Sequence, residues 1–212
     1  MADGVAIVGV GHTAYAKRGE LADRGTLALA CEAVAAACAD AGISPSSVDG
    51  YSGYANEAIE PAMLANAFGA PELRYAGMVW GGGGGGVNGA LLNASMAITS
   101  GQADYVVVHR SLSMGGPGGR FGQQLVSSAL NGTLDPAMSF IAAFGVFTPA
   151  QVFGLAARRH MHRYGTTIDH FGEVAIAARR MAANNPLARF RDPITMDDHH
   201  NSRLIADPMR LL

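Results

Sequence analysis

The 212-residue sequence is poor in lysine, cysteine and charge. Lys17 is the only lysine, which leaves little material for a Schiff base or a phosphate-binding P-loop. Cys31 and Cys38 are the only cysteines, and seven positions of helix would separate them by about 10 Å, too far for a disulfide. Because no secretory signal peptide opens the sequence, we expect a reducing, cytoplasmic compartment.

Charged residues make up only 15% of the sequence, and the formal net charge is −2, which argues against nucleic-acid binding. The hydrophobic share of 49% and a mean hydropathy of +0.16 exclude a disordered or collagen-like chain. Nine of the fourteen arginines follow residue 150. They form either solvated helix faces or a cradle for an anionic ligand or partner.

Several functional motifs are absent. There is no G-x-S-x-G sequence, so a hydrolase triad has no support. The histidines at 160, 162, 170, 199 and 200 lack metal-site spacing, which predicts no metal. Two long charge-free stretches, between Arg74 and Asp104 and between Asp135 and Arg158, are interrupted by six glycines and by a helix-start signal at 148–151. We therefore expect no membrane span.

What is present is an alternation of strand-like and helix-like segments, which predicts an α/β fold with a parallel or mixed sheet. The predicted strands cover 5–11, 48–54, 74–80 and 105–109, and the predicted helices cover 26–41, 61–68 and 87–100. After a glycine-rich loop, helices are predicted over 149–164 and 168–183 and from near 195, with no further clear strand. We expect an α/β part over 1–110 and a mostly helical part over 111–212.

Two glycine-rich segments are candidate binding sites. Residues 9–14 fit the G-x-G-x-x-A form of the dinucleotide fingerprint, but helical periodicity starts only at Leu27, which favours an accidental match over a nicotinamide site. Residues 81–86 lie between a predicted strand and a helix that is apolar nearly all round, as in a helix sandwiched between layers. Their free amides favour an anion or a developing oxyanion, and they also permit a tight turn.

Polar side chains near strand ends supply further candidates. His109 and Arg110 end a predicted strand, and Arg120 follows the glycine-rich loop. Of these three, His109 and Arg120 are predicted to bind substrate. For His109 a structural hydrogen-bonding role is the alternative. Tyr51 and Tyr54 are additional candidate pocket residues.

Eight segments spread over the whole chain resemble the thiolase superfamily, particularly the thiolase-like lipid-transfer proteins related to the thiolase domain of sterol carrier protein x. They are residues 5–11, 41–50, 97–104, 120–123, 148–150, 158–167, 185–186 and 205–208. The resemblance implies a layered α/β/α fold with a mixed sheet and a mostly helical insertion. Family members have two similar halves, so the sequence is similar to a first half that stops before its last strand. That implies a truncated chain or one subunit of a split enzyme, which would need association to cover an open sheet edge and an apolar face.

One departure from the family pattern bears on chemistry. The nucleophilic cysteine of thiolases falls, by register, near Gly84, so the catalytic residues of this chain are unknown. Thiolase relatives that lack this cysteine resemble aldolases. The resemblance therefore implies that this chain is a carbon–carbon lyase, which cleaves a steroid-like β-hydroxyacyl-CoA by a retro-aldol reaction. The CoA thioester would be the substrate, no cofactor is expected, and the substrate-binding candidates are Gly83, Gly84, Gly85, Gly86, His109 and Arg120.

The resemblance also implies an OB-fold, zinc-ribbon partner and a homodimer or hetero-oligomer. Two alternatives stay open: a non-catalytic scaffold subunit and a thiolase acyltransferase.

Overall fold

The computed structural model describes residues 4–16, 19–21, 23–54, 57–80, 83–112 and 136–212. Two compact units divide the chain, Met1–Gly118 and Gly119–Leu212. The helices of the first unit are α1 (Thr26–Ala41), α2 (Pro61–Ala67) and α3 (Gly86–Thr99). Its strands are β1 (Gly50–Tyr54), β2 (Tyr75–Val79) and β3 (Val106–His109). These six elements lie within two residues of their predicted bounds.

The three strands form one parallel sheet in the order β2-β1-β3. Gly50 of β1 pairs with Tyr75 of β2 and with Val106 of β3, which fixes the register. α1 and α2 pack on one face of this sheet, and α3 packs across all three strands on the other. The predicted α/β/α layering is therefore confirmed. A mixed sheet was predicted, with parallel and antiparallel pairs together. In the structure the antiparallel pair is not part of the three-stranded sheet but forms a separate ladder in the second unit.

The hydrophobic core lies between the sheet and the α1–α2 layer. α1 begins after Gly25 and ends at Gly42, whose φ of 69° gives the left-handed C-cap. Its buried stripe contacts the sheet and α2; the core residues are Ala30, Val34, Cys38, Val48, Tyr51, Ile59, Leu64 and Ala65. Burial of this apolar surface is the main source of stability in the first unit.

The predicted strand over residues 5–11 is wrong, because this segment has no ladder partner among the residues that the structure describes. It lies against α1 instead: a side chain at Gly9 or Gly11 would collide with the α1 carbonyls of Ala37 or Ala33. The backbone amide of Val10 donates to the Asp40 carboxylate at 2.9 Å. Glycine is thus required by close backbone approach to a helix, and a strand-like pattern alone does not supply a partner strand.

Helix α3 is apolar on both sides, as the sequence predicts, but only one side is covered. Ala90, Ala94 and Ala97 are buried against the sheet. Leu92 and Met96, on the outer side, are 61% and 60% exposed. The expectation of a helix sandwiched between two layers is therefore wrong for this chain, since no described residue covers the outer side of α3.

A carboxylate at the amino-terminal edge of the sheet joins three chain segments. Asp49 accepts the backbone amides of Asp104 and Tyr105 at 3.0 and 2.9 Å and binds Arg74 at 3.1 Å. Its side chain is only 14% exposed. The outer carboxylate of Asp104, also bound to Arg74, is 78% exposed.

We expect Asp49→Ala to lower the free energy of unfolding by about 2–3 kcal/mol, because three donors lose a charged acceptor. Asp104→Ala removes only a solvated ion pair and should cost less than about 0.5 kcal/mol. Urea unfolding followed by circular dichroism measures both. Equal losses in the two variants would mean that the Asp49 hydrogen bonds contribute nothing beyond a surface ion pair.

The second unit is mostly helical. Its elements are α4 (Pro136–Ala142), α5 (Pro149–Tyr164), α6 (Ile168–Ala183), α7 (Met196–Asn201), β4 (Leu204–Ala206) and β5 (Met209–Arg210). α5 and α6 match their predicted bounds, and α7 starts after Thr195 as expected. The expectation of no further strand is wrong, since β4 and β5 form a short antiparallel ladder. α4 was also not predicted.

The cap of α7 gives this unit a pH dependence. Thr195 and Asp198 form a capping box in which the Asp198 carboxylate accepts from the Thr195 hydroxyl and amide. The side-chain and backbone hydrogen bonds from Thr195 hold the pKa of Asp198 below its usual value. A depressed carboxyl pKa stabilises the fold above the unfolded pKa of about 3.9, and this contribution is lost as the pH falls through the folded pKa.

We therefore expect the amide NMR signal of Thr195 to shift as the pH is lowered below about 4, as the cap opens. Asp198→Asn should abolish that shift. Asp197→Asn, in the same turn but outside the box, should leave it in place. A Thr195 signal that titrates unchanged in Asp198→Asn would show that another group controls this cap.

In the described part of the chain, no helix is both long and apolar enough to cross a membrane.

Candidate functional site

The carboxyl ends of β1, β2 and β3 meet at one edge of the sheet, where α/β proteins place their binding sites. β1 ends at Tyr54, β2 at Val79 and β3 at His109. The next described residues after Trp80 form a 3-10 turn, Gly83–Gly85, and α3 starts at Gly86. The sheet edge and the turn before α3 form the candidate site.

The glycine turn is open. Gly84 and Gly85 are exposed, and a Cβ atom at either would meet nothing within 4 Å. Neither has a positive φ, and Gly85, the N-cap of α3, offers no side-chain cap. The N-terminus of α3 thus has no side-chain cap, and the positive end of the helix dipole favours a negative charge there. Tight packing against the sheet occurs further along, at Gly89, whose Cβ position lies 3.3 Å from the side chain of Val79.

His109 lies at the same edge but on the opposite face from α3. Its ladder partner is Gly53, and its ring meets the ring of Tyr51 edge-on with centroids 6.3 Å apart. Tyr51 belongs to the core under α1 and α2. The structure therefore brings His109 and the glycine turn to one edge but separates them by the thickness of the sheet.

The surroundings of His109 disfavour its charged form. It is 7% exposed, and neither ring nitrogen has a hydrogen-bond partner among the described residues. Burial lowers the pKa of His109, while the Glu57 carboxylate and the Ile59 backbone oppose this shift. The Glu57 carboxylate itself accepts the amides of Ile59 and Ser111. The alternative role, a structural histidine that forms hydrogen bonds, has no support among the described residues, since neither nitrogen of His109 is bonded. Substrate binding by His109 stays a prediction.

The two tyrosines of β1 have different environments. Tyr51 is fully buried, and burial, together with Cys38 and Cys31, raises its pKa to about 12. Tyr54 is partly exposed on the α3 face, and the guanidinium of Arg110 lies over its ring, 5.7 Å from the centroid. Arg110 was not predicted to bind substrate. Its position directly after a predicted strand was the signal available in the sequence.

Three other predictions concern residues that are not part of β1, β2, β3 or the glycine turn. Arg120 lies outside the described residues. The glycines of the 9–14 motif pack against α1, so no strand–turn–helix arrangement supports a dinucleotide there. Four of the described histidines after residue 150, at 160, 170, 199 and 200, have local contacts. For example, His170 Nδ1 accepts the Thr167 amide at 2.9 Å, and His200 Nε2 lies 2.6 Å from Asp169. Among the described residues, no three metal-ligating side chains converge.

Comparisons with known proteins agree with this architecture. The family model described as "Thiolase, N-terminal domain" matches residues 5–212. A steroid side-chain-cleaving aldolase from Thermomonospora curvata is 41% identical over 209 residues, covering 98% of this chain and 52% of the relative. A 17-hydroxy-3-oxo-4-pregnene-20-carboxyl-CoA lyase from Mycobacterium tuberculosis is 41% identical, covering 98% and 53%.

A solved structure described as Ltp2-ChsH2(DUF35) aldolase superposes with a TM-score of 0.81 at 40% identity. The match covers 97% of this chain and 50% of the solved chain. The chain thus spans about half the length of the relatives it matches.

Proposed function

Because the chain belongs to the thiolase family, matching its N-terminal domain over residues 5–212, we propose that it forms the N-terminal half of an acyl-CoA-handling carbon–carbon lyase. The reaction proposed is retro-aldol cleavage of a β-hydroxyacyl-CoA with a steroid-like side chain. The observation that carries the proposal is the 41% identity, over 98% of the chain, to a steroid side-chain-cleaving aldolase.

The glycine turn supports a lyase over a thiolase. Thiolytic acyl transfer needs a nucleophile that forms a covalent acyl intermediate. Near Gly84, where the nucleophilic cysteine falls by register, the chain has only glycine, and the described cysteines, Cys31 and Cys38, lie on α1 in the other layer. Burial raises the pKa of both thiols, which makes them poor nucleophiles.

The retro-aldol reaction has two electrostatic requirements. A base removes the proton of the β-hydroxyl, the Cα–Cβ bond breaks as a carbonyl forms, and the electron pair passes to Cα as a thioester enolate that then takes up a proton. The enolate oxygen needs hydrogen-bond donors or a positive potential. The turn before α3 and the positive end of the α3 dipole could supply them, and we propose Gly83, Gly84, Gly85, Gly86, His109 and Arg120 as substrate contacts.

The proposal includes partners. An OB-fold, zinc-ribbon protein is the proposed partner, supported by the description of the solved relative as an Ltp2-ChsH2(DUF35) aldolase. The exposed outer side of α3, with Leu92 and Met96, supports a homodimer or hetero-oligomer. We propose the cytoplasm as the compartment and a reaction without a cofactor besides the CoA thioester of the substrate.

The test uses the native assembly, with its composition established by native mass spectrometry. The assembly is incubated with a β-hydroxyacyl-CoA that carries a bulky, steroid-like side chain, and the products are separated by liquid chromatography. We expect a ketone or aldehyde together with a shorter acyl-CoA. The matched acyl-CoA without the β-hydroxyl should remain intact, because no hydroxyl proton is available to start the cleavage.

Two other outcomes would contradict the proposal. Substrate that stays bound and intact would favour a non-catalytic scaffold. Cleavage of a β-ketoacyl-CoA that depends on added free CoA would indicate a thiolase instead.

A further inference from the structure

Arg110 is a partly buried cation for which the described residues supply no counter-ion. It directly follows β3, and its guanidinium lies over the ring of Tyr54. Its Nε atom is buried and has no hydrogen-bond partner, and no carboxylate in the described residues forms an ion pair with it. Removing a charge from water without pairing it is unfavourable, so an unpaired guanidinium in this position needs an explanation.

The other arginines described in the first unit are paired. Arg24 binds Glu32, and Arg74 binds both Asp49 and Asp104. Arg110 is thus the exception within its own unit, and its donors are available to a ligand.

The side chain of Arg110 is on the face that carries α3. Tyr54, on whose ring it lies, pairs with Val79 in the parallel ladder, and paired residues point to the same face. The side chain of Val79 contacts α3 near Gly89. Arg110 and Tyr54 therefore share a face with the glycine turn, whereas the neighbouring His109 points to the other face.

The backbone on both sides of Arg110 is fixed. His109 and Ser111 are buried, the amide of Ser111 donates to Glu57, and the Ser111 hydroxyl donates to the Thr26 carbonyl at 2.7 Å. The Glu57 carboxylate is occupied by the Ser111 and Ile59 amides, so it is not a counter-ion for the guanidinium. The guanidinium is thus held in place before any ligand arrives.

The geometry points to Arg110 as an anion-binding residue that takes an oxyanion of the ligand, with the Tyr54 ring holding its guanidinium in position. A guanidinium presents paired N–H donors that match the oxygens of a phosphate or carboxylate. The inference rests on the proposed acyl-CoA function only for the source of the oxygen, which is either a CoA phosphate or the thioester oxygen that becomes negative in the enolate.

Binding is measured through Trp80, the single tryptophan, which follows Val79 at the same sheet edge and is 77% exposed. The purified chain is titrated separately with CoA, with inorganic phosphate and with a β-hydroxyacyl pantetheine thioester, which has no phosphate. The variants are Arg110→Gln, Arg110→Lys, Tyr54→Leu and Tyr54→Phe. Arg24→Gln is the matched control, since it removes the same charge from a paired arginine of the same unit.

We expect Arg110→Gln to weaken binding by about tenfold or more, the effect of losing a charged hydrogen bond. The affinity of Arg110→Lys should lie between those of the wild type and Arg110→Gln, because lysine keeps the charge but not the paired donors. Tyr54→Leu should also weaken binding, and by more than Tyr54→Phe, which keeps the ring. Arg24→Gln should leave binding unchanged. If Arg110→Gln fails to fold by circular dichroism, Arg110→Lys and Tyr54→Leu carry the test.

The three ligands separate the possible outcomes. If the Arg110 variants lose affinity only for CoA and phosphate, the group bound by Arg110 is a phosphate. If they lose affinity for the pantetheine thioester, the group is in the acyl part. Either result supports the inference. Equal affinities of the wild type and the Arg110 variants for every ligand, or no binding by the wild type, would overturn it. Arg110-dependent binding of phosphate, without binding of CoA or of the pantetheine thioester, would support the anion site and count against the acyl-CoA function.

Discussion

Gly84→Cys is expected to create a thiol that iodoacetamide alkylates at least about tenfold faster at neutral pH than a thiol at Ser100, at the other end of the same helix. The position has open space for a side chain and an ordinary φ, so the fold should tolerate the change within about 0.5 kcal/mol. The positive dipole end of α3, which has no side-chain cap, should lower the thiol pKa and raise the thiolate fraction.

Ser100→Cys is the matched control because it adds the same group to the same helix where the dipole has the opposite sign. Ser100 is the exposed C-cap of α3. The native thiols, Cys31 and Cys38, should react slowest, since burial raises the pKa of each. Intact-protein mass spectrometry after short pulses of reagent gives all the rates in one series.

Equal rates at positions 84 and 100 would contradict the interpretation of the glycine turn as a site for negative charge. The proposed stabilisation of an enolate by the positive end of α3 would then lose its physical basis. The proposed site at Arg110 would be unaffected, because it depends on a guanidinium and not on the helix terminus.

The sequence predicted most accurately those elements whose ends have their own chemical signal. α1 ends at Gly42 with a left-handed cap, and α5 begins with a Thr148–Gln151 capping box and ends at Gly165. Such caps are local, so a single sequence contains them. The second unit's two strands, of three and two residues, were not predicted because period-2 alternation is not visible over so few positions.

The arrangement of the candidate site needed information that a single segment does not contain. That His109 ends a strand could be predicted, but its face depends on which strand pairs with it and in which register. One position further along the chain, Arg110 lies on the opposite face, beside Tyr54 and α3. The same dependence on partners explains residues 5–11, whose apolar pattern is typical of a strand although no strand in the described chain pairs with it.

Tyr51→Phe is expected to raise the free energy of unfolding by about 1 kcal/mol, whereas Tyr51→Ala should lower it by about 3–5 kcal/mol. The ring is fully buried in the core, so its loss leaves a large cavity. The hydroxyl is buried without a hydrogen-bond partner, and removing an unsatisfied polar group from the interior is favourable. Urea unfolding of the three proteins gives both differences.

The pair of substitutions also decides between two roles for Tyr51. Stabilisation by Tyr51→Phe identifies a core residue whose hydroxyl contributes nothing to the fold, and ligand binding followed at Trp80 should then be unchanged. A loss of more than about 1 kcal/mol in Tyr51→Phe would mean that the hydroxyl has a partner, such as a buried water shared with the unpaired nitrogens of His109. In that case Tyr51 and His109 would line a water-containing pocket under α1. The prediction that both are pocket residues would then gain support.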